Sequence, residues 1–285
     1  MNAQLARLLL IRLSIALMGR LLTKKKTMNK KLLFAFVGAL SLGTLNLRAQ
    51  AAVASPSPSV ALNLNAVNQY MFRGQLLGGF SIQPSVELGF GDTTVGLWAS
   101  KPVTNRIAGI SDPEFDFYGS YNFKIGDAMT LNPGFTWYVY PNLSNLDYKN
   151  TLEPNLALNY TVSGLKVTPK IYYDAMLKAA TWEISGAYAY PLKDMGTELD
   201  FSATYGTYKG TDTVKNTDRE VHSWGNYYSV GVTVPFAITT SSKLSVGWAY
   251  TQGWNAFTKV GTDHRAKNTA AVGRGVVTIG YSLSF

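Results

Sequence analysis

From Val60 to Phe285 the chain repeats one figure: about ten residues of alternating apolar and polar side chains, then a turn. A period of two marks a β-strand, because successive side chains face opposite sides of a sheet. Three runs show it most clearly. Phe115, Phe117, Gly119, Tyr121 and Phe123 alternate with Glu114, Asp116, Tyr118, Ser120, Asn122 and Lys124. Leu199, Phe201, Ala203 and Tyr205 alternate with Glu198, Asp200, Ser202 and Thr204. At the end, Val277, Ile279, Tyr281, Leu283 and Phe285 alternate with Thr278, Gly280, Ser282 and Ser284. The whole pattern predicts about twelve strands, beginning near Val60, Gly79, Thr93, Pro113, Ala128, Thr151, Leu165, Ala179, Thr197, Gly225, Lys243 and Ala271.

The connections sort by length. Gly91-Asp92, Gly126-Asp127, Ser163-Gly164 and Lys193–Gly196 are short, with Phe236–Ser242 somewhat longer. Those between them are generally longer and more polar: Gly74–Gly78, Lys101–Asp112, Pro141–Asn150, Asp174–Lys178, Tyr208–Trp224 and Gly253–Ala270. A soluble sandwich has no reason to alternate short turns with long loops, whereas an outer-membrane barrel does so throughout. Rings gather near strand ends, as two interfacial belts require. Tyr70, Phe72, Phe80, Phe115, Trp137, Tyr173, Trp182, Tyr205, Tyr228 and Tyr250 are expected toward the long-loop rim. Phe90, Phe123, Tyr160, Tyr190, Phe236, Tyr281 and Phe285 are expected toward the short-turn rim. Against a closed barrel stand Pro84, Pro133, Pro154 and Pro169, which fall inside the proposed strands and lack the N–H that a ladder needs. Each then has to sit at a bulge or a rim.

Charge sharpens this picture. Of 26 Lys and Arg, nine lie in residues 1–51, where there is no Asp or Glu, so residues 52–285 balance 17 basic against 17 acidic groups. The apparent polycation is all presequence, and the electrostatic case for nucleic-acid binding disappears with it. Charged residues make up only 15% of the chain, against the ~25% usual for soluble domains. Aromatic residues, by contrast, are abundant. No stretch after residue 52 approaches the ~20 apolar residues of a spanning helix, which leaves a closed barrel as the way across a bilayer. The chain has no Cys, which excludes disulfides, thiolate metal sites and a Cys nucleophile.

Met28-Asn29-Lys30-Lys31, the apolar run Leu32–Leu47 and Ala49-Gln50-Ala51 have the form of a secretory signal over 28–51 with a small-x-small cleavage site. Translation is expected to start at Met28, which makes residues 1–27 an extension ahead of it. Residues 52–59, with Pro56 and Pro58, read as a flexible leader, and the barrel is expected over 60–285.

Tyr70-Met71-Phe72-Arg73-Gly74 reads as the end of the first strand. It is followed by Gly79-Phe80, by Gly96-Leu97-Trp98-Ala99-Ser100, by Glu114-Phe115-Asp116-Phe117-Tyr118-Gly119 and by Trp137-Tyr138-Val139-Tyr140-Pro141. This succession, over roughly residues 59–142, resembles the TorF-type porin family, although Gly74-Gln75-Leu76-Leu77 departs from the Gly-Ile-Ser-Gln usual there. The resemblance implies an outer-membrane barrel with a pore, and supplies no catalytic residues or substrate.

If the apolar rows face lipid, the alternate rows line the lumen. Glu87, Glu114, Asp116, Asp174, Glu183, Glu198 and Asp200 are then lumen acids, and Arg73, Lys124, Lys166, Lys170 and Arg274 lumen bases. Charges on the lipid face would cost ~2–4 kcal/mol near the midplane, and rings of lumen charge set ion selectivity. Arg73, at the rim, either reaches into the mouth to bind an anion or forms a structural ion pair with Glu114 or Glu183. The only histidines, His222 and His264, lie in long loops and make neither a nucleophile–base pair nor a metal-ligand spacing. No catalytic residue, metal site or cofactor is therefore assigned. Tyr281-Ser282-Leu283-Ser284-Phe285 resembles the signal that the barrel-assembly machinery reads, with Tyr281, Leu283 and Phe285 as its apolar positions.

The expectation is an all-β protein: a transmembrane antiparallel β-barrel of about twelve strands in the bacterial outer membrane. It is surrounded by outer-membrane lipid and passes small hydrophilic solutes or ions passively. A lipid-modifying barrel enzyme and a closed structural or adhesin barrel are the alternatives.

Overall fold

The computed structural model describes residues 58–105, 113–143, 148–209, 224–254, 257–260, 264–267 and 270–285, with only the backbone at 257–260 and 264–267. The expected extension, signal and nearly all of the leader lie outside the described residues, as does His222; His264 is described by its backbone alone.

The first strand, β1 (Ser59–Val67), is followed by a small hairpin, β2 (Tyr70–Phe72) and β3 (Gln75–Gly78), before β4 (Ser81–Phe90). Next come β5 (Thr93–Pro102), β6 (Glu114–Tyr121) and its continuation β7 (Phe123–Ile125), β8 (Met129–Val139), β9 (Asn150–Val162) and β10 (Leu165–Asp174). The chain goes on through β11 (Ala179–Leu192), β12 (Thr197–Lys209), β13 (Trp224–Ala237) and β14 (Ser242–Trp254). A second hairpin, β15 (Phe257–Val260) and β16 (His264–Lys267), precedes the last strand, β17 (Gly273–Ser284). Each expected strand start lies within two residues of an observed one.

Thirteen of these segments form one antiparallel sheet. β6 and β7 both pair with β8, so together they act as one strand broken at Asn122, and the sheet closes as a barrel of twelve strands. The first and last strands meet across the seam, with Leu62 opposite Leu283 and Leu64 opposite Tyr281. Closure leaves no free sheet edge, and every wall backbone group can find a partner on a neighbouring strand.

The prolines fit because each sits where a ladder is already interrupted. Pro84 faces Leu64 on β1, while pairing with β5 skips Gln83 and Pro84. Pro169 faces Ile184, while pairing with β9 skips Thr168 and Pro169, and the Thr168 hydroxyl donates to Asn159 Oδ1 at 3.0 Å across that gap. Pro133 lies opposite the β6/β7 break, where the Asn132 amide donates to Asn122 Oδ1 at 2.7 Å. Pro154 pairs with Phe135 and lies just beyond the β9–β10 register, which ends at Asn155. A missing N–H costs little where no rung would have used it.

Side chains sort by parity. Trp182, Ile184, Tyr188 and Tyr190 on β11 stand exposed on the outer face, as do Leu244, Val246 and Trp248 on β14. The inner row carries small polar groups along β1, β4, β11 and β13: Asn63, Asn65, Ser85, Ser185 and Ser229. Phe90, Phe123, Tyr160, Tyr190, Phe236, Tyr281 and Phe285 are all exposed at the short-turn end. Trp137, Tyr173, Trp182 and Tyr205 are exposed toward the long-loop end, where Tyr228 stacks near Tyr250 and Trp254.

Two expectations at that end need correction. The first wall strand stops at Val67, and Tyr70–Gly74 belongs to the separate β2–β3 hairpin. Tyr70 and Phe72 therefore leave the outer belt: Tyr70 is buried and donates to Glu114, and Phe72 meets the Tyr138 ring edge-on at 6.1 Å between centroids.

Candidate functional site: a hairpin across the barrel mouth

The β2–β3 turn has two central residues, Arg73 (φ 49°) and Gly74 (φ 72°), with Phe72 paired to Gln75. Positive φ at both positions is the requirement of a type I′ turn, whose twist matches the flanking strands. Asn-Gly is the usual sequence for it. Arg-Gly places a side chain that seldom adopts positive φ at the first position, a cost of order 1 kcal/mol that the surroundings must hold in place.

The hairpin crosses the interior instead of lying on the rim. β9 lies five strands round the twelve-strand ring from β1, yet Arg73 reaches it: Nη1 donates to Glu153 Oε1 at 2.8 Å and Nη2 to Oε2 at 2.9 Å. The guanidinium also lies against two rings, 4.7 Å from the Phe72 centroid and 4.6 Å from that of Tyr172 on β10. At the turn, an added Cβ on Gly74 would come within 2.6 Å of Gly253 Cα on β14 and 2.7 Å of Tyr227 Cβ on β13. Only glycine permits that approach. The backbone is tied to the segment before β17, with Leu76 N–H donating to Ala270 O at 2.8 Å and Val272 N–H to Gly74 O at 3.2 Å. Gly79 N–H donates to Thr104 O at 3.1 Å beyond β5.

Glu153 sits three residues in from the long-loop end of β9, about 10 Å along the strand. It also accepts from the Tyr138 hydroxyl at 2.9 Å. Arg73 and Glu153 expose 12% and 3% of their side chains, so the pair is largely withdrawn from water and each partner needs the other. Burial alone would lower the Arg73 pKa, but the hydrogen-bonded Glu153 carboxylate outweighs it and holds the guanidinium charged, above its ordinary value. Burial, then the charge of Glu114, raises the Tyr70 hydroxyl well above its ordinary value and keeps it a donor.

Tyrosine hydroxyls serve three more of the lumen carboxylates. Glu114 accepts from Tyr70 at 3.0 Å and Glu87 from Tyr118 at 3.1 Å, and Glu183 accepts from both Tyr172 and Tyr227. Two of these contacts share one device. Glu87, Gly96 and Tyr118 form a cross-strand row over β4, β5 and β6; Glu183, Gly206 and Tyr227 form the same row over β11, β12 and β13. In each, the ring lies flat over the glycine, where an added Cβ would fall 2.3 Å from Tyr Cζ, and the hydroxyl reaches the carboxylate one strand further on. The glycine is what allows a strand's tyrosine to span its neighbour.

The expected lumen residues thus fall into groups. Glu114, Asp116, Lys170 and Glu183 gather around the hairpin with Glu153. Asp116 stands opposite Tyr138 in the ladder, and its Oδ1 is buried without a hydrogen-bond partner among the described residues. The Lys170 ammonium lies 4.6 Å from the Tyr172 centroid. Asp174 lies on the inward row opposite Ala179, and its Oδ1 accepts from Met176 N–H at 2.9 Å and Leu177 N–H at 2.8 Å, capping the turn after β10. Glu87, Glu198 and Asp200 lie toward the short-turn end, where Lys124 is 3.7 Å from Asp92. Arg274 is exposed at the start of β17, bonded to Gly273 O. The partner of Arg73 is neither Glu114 nor Glu183. Those carboxylates are taken up by tyrosine hydroxyls, and the hairpin carries the guanidinium to Glu153, which the charge inventory had omitted although it lies on the inward row between Leu152 and Pro154.

Solved barrels share this fold. The NanC porin superposes with a TM-score of 0.50 at 12% identity, covering 78% of this chain and 98% of its own. The KdgM porin gives 0.48 at 13%, with 80% and 99% covered, and LpxR from Salmonella typhimurium gives 0.44 at 8%, with 78% and 99% covered. No curated protein matches the sequence. The sequence pattern of the Gcw_chp family fits residues 50–282, well over half of the chain, and the protein belongs to that family of bacterial proteins of unknown function.

Proposed function

We propose that this protein is an outer-membrane channel through which small hydrophilic solutes or ions diffuse passively, narrowed at its long-loop end by the β2–β3 hairpin. One observation carries the reading: a closed wall with an apolar outer row and a polar inner row along its length, inverted relative to a soluble protein. Such a wall is stable only with hydrocarbon outside and water or polar groups inside. The NanC porin has the same barrel fold, and the motifs from Tyr70 to Pro141 agree with the TorF-type porins. Residues 28–51 would direct export. Tyr281, Leu283 and Phe285, whose strand closes the seam with β1, would engage the assembly machinery.

Purified and refolded in detergent, the mature chain should give stepwise single-channel currents in planar bilayers. A folded, heat-modifiable barrel that is silent in wild-type form and with the hairpin excised would overturn the reading. Deleting Phe285 should reduce the heat-modifiable fraction in outer membranes; unchanged assembly would count against the terminal signal.

A further inference from the structure

We infer that Arg73 is a positioning residue whose pair with Glu153 latches the β2–β3 hairpin across the lumen, so that breaking the pair widens the channel. This rests on the channel reading above and concerns what controls its narrowest level. Three independent observations carry it. The hairpin belongs to its own two-stranded sheet, and its turn side is bonded through Gly74, Gln75 and Leu76 to the segment leading into β17, away from β9 and β10. Its tip reaches the far wall through one side chain, which makes two charge-assisted bonds to a single carboxylate and is sandwiched between two rings. Finally, the turn carries Arg at a positive-φ position where Asn would be at ease, so the backbone favours a different residue from the one the cross-lumen contact needs.

Further ties run to other parts of the wall. Leu76 and Gly74 bond to residues 270–272, and Tyr70 bonds to Glu114 on β6. With Arg73 released, the tip loses its hold on β9 and β10 while the Gly74 backbone stays fastened to the segment before β17 and packed on Gly253 of β14. The hairpin then rests against β14 and the segment before β17 alone, and the lumen opens on the β9–β10 side. Glu153, no longer neutralised, adds a negative charge to that opening.

The turn chemistry supplies a discriminating variant. Arg73→Asn removes the latch and at the same time favours the type I′ turn, so a change in current cannot be assigned to loss of the hairpin's own fold. Glu153→Gln removes the charge with little change of shape, and Arg73→Lys keeps a charge but cannot bridge both carboxylate oxygens. Each variant is checked for heat-modifiable mobility, then measured in planar bilayers for unitary conductance and for reversal potential in a salt gradient. Arg73→Asn and Glu153→Gln should each raise conductance by about twofold or more, and Arg73→Lys by less. Arg73→Asn should shift the reversal potential toward cation preference and Glu153→Gln should not. In the double variant the conductance gain should not exceed that of either single change, because both break one contact. A silent wild type with conducting variants supports the latch in its fully closed form. A conducting wild type whose conductance and selectivity match those of both variants overturns the latch and leaves the channel standing. Silence of all folded forms removes the channel reading, and the latch with it.

Discussion

The two ends of this barrel share a wall and differ in what fills it. At the short-turn end the inner row is Asn63, Ser85, Thr94, Ser120, Ser202 and similar small polar groups, with Glu87 bracketed by Tyr118 across Gly96. At the long-loop end the same row carries Glu114, Glu153, Glu183, Tyr138, Tyr172 and Tyr227, and the β2–β3 hairpin lies among them. The Tyr–Gly–Glu row occurs once in each half and so belongs to the wall. Among the described residues the cross-lumen contact occurs only at the long-loop end, and so belongs to the passage. A barrel's strand pairing fixes its outer diameter, and loops and side chains then set the bore.

Removing the hairpin should have the largest effect. Replacing residues 69–79 by a short polar turn should raise unitary conductance several-fold and bring the long-loop end to the character of the other. A Ser85→Ala change in the short-turn half should leave the current as it was. Equal currents in both variants would mean that the narrowest level lies elsewhere.

Next in size, Glu153→Ala strands the Arg73 guanidinium in a site largely closed to water, at a cost of about 3–5 kcal/mol in unfolding free energy. Glu198→Ala, near the short-turn end, should stay within ~0.5 kcal/mol. Urea unfolding in lipid vesicles distinguishes them, and similar losses would erase the contrast between the two ends.

The wall device offers a smaller and symmetrical test. Gly96→Ala and Gly206→Ala each put a methyl 2.3 Å from a tyrosine Cζ and push the hydroxyl off its carboxylate, costing roughly 1–3 kcal/mol apiece. Comparable drops in Tm would confirm a shared brace; a drop at Gly206 alone would tie that row to the hairpin. Smallest of all, Asp174→Ala loses the cap of one turn, about 1 kcal/mol, with no change in ion selectivity. A selectivity change there would show that Asp174 also acts on passing ions.

Much of the wall could be read along the chain. Alternation placed all twelve strand starts within two residues, because a two-sided environment imposes a two-residue period on any strand that spans it. The prolines looked hostile to that reading only because the gaps at Gln83–Pro84 and Thr168–Pro169 arise from how neighbouring strands stagger, which no single strand reveals. The hairpin was missed for a local reason. Its turn is Arg73-Gly74, so the usual Asn-Gly signal is absent, and the polar break between β1 and Tyr70-Met71-Phe72 is only Asn68-Gln69. Glu153 was within reach, since it follows Thr151 on the inward row, but a charge inventory does not say which acid lies opposite which base.

Period and loop length, which are local properties, therefore determined by themselves that the chain makes a twelve-stranded closed wall, and which side of each strand is apolar. Only the tertiary structure decided that Arg73 meets Glu153, that Tyr118 and Tyr227 each span a glycine to a carboxylate, and that Asp174 caps a turn. Those outcomes depend on stagger between strands and on where a folded-in segment comes to rest. Contacts between residues 80 positions apart, such as the Arg73–Glu153 pair, leave no periodic trace in the chain that makes them.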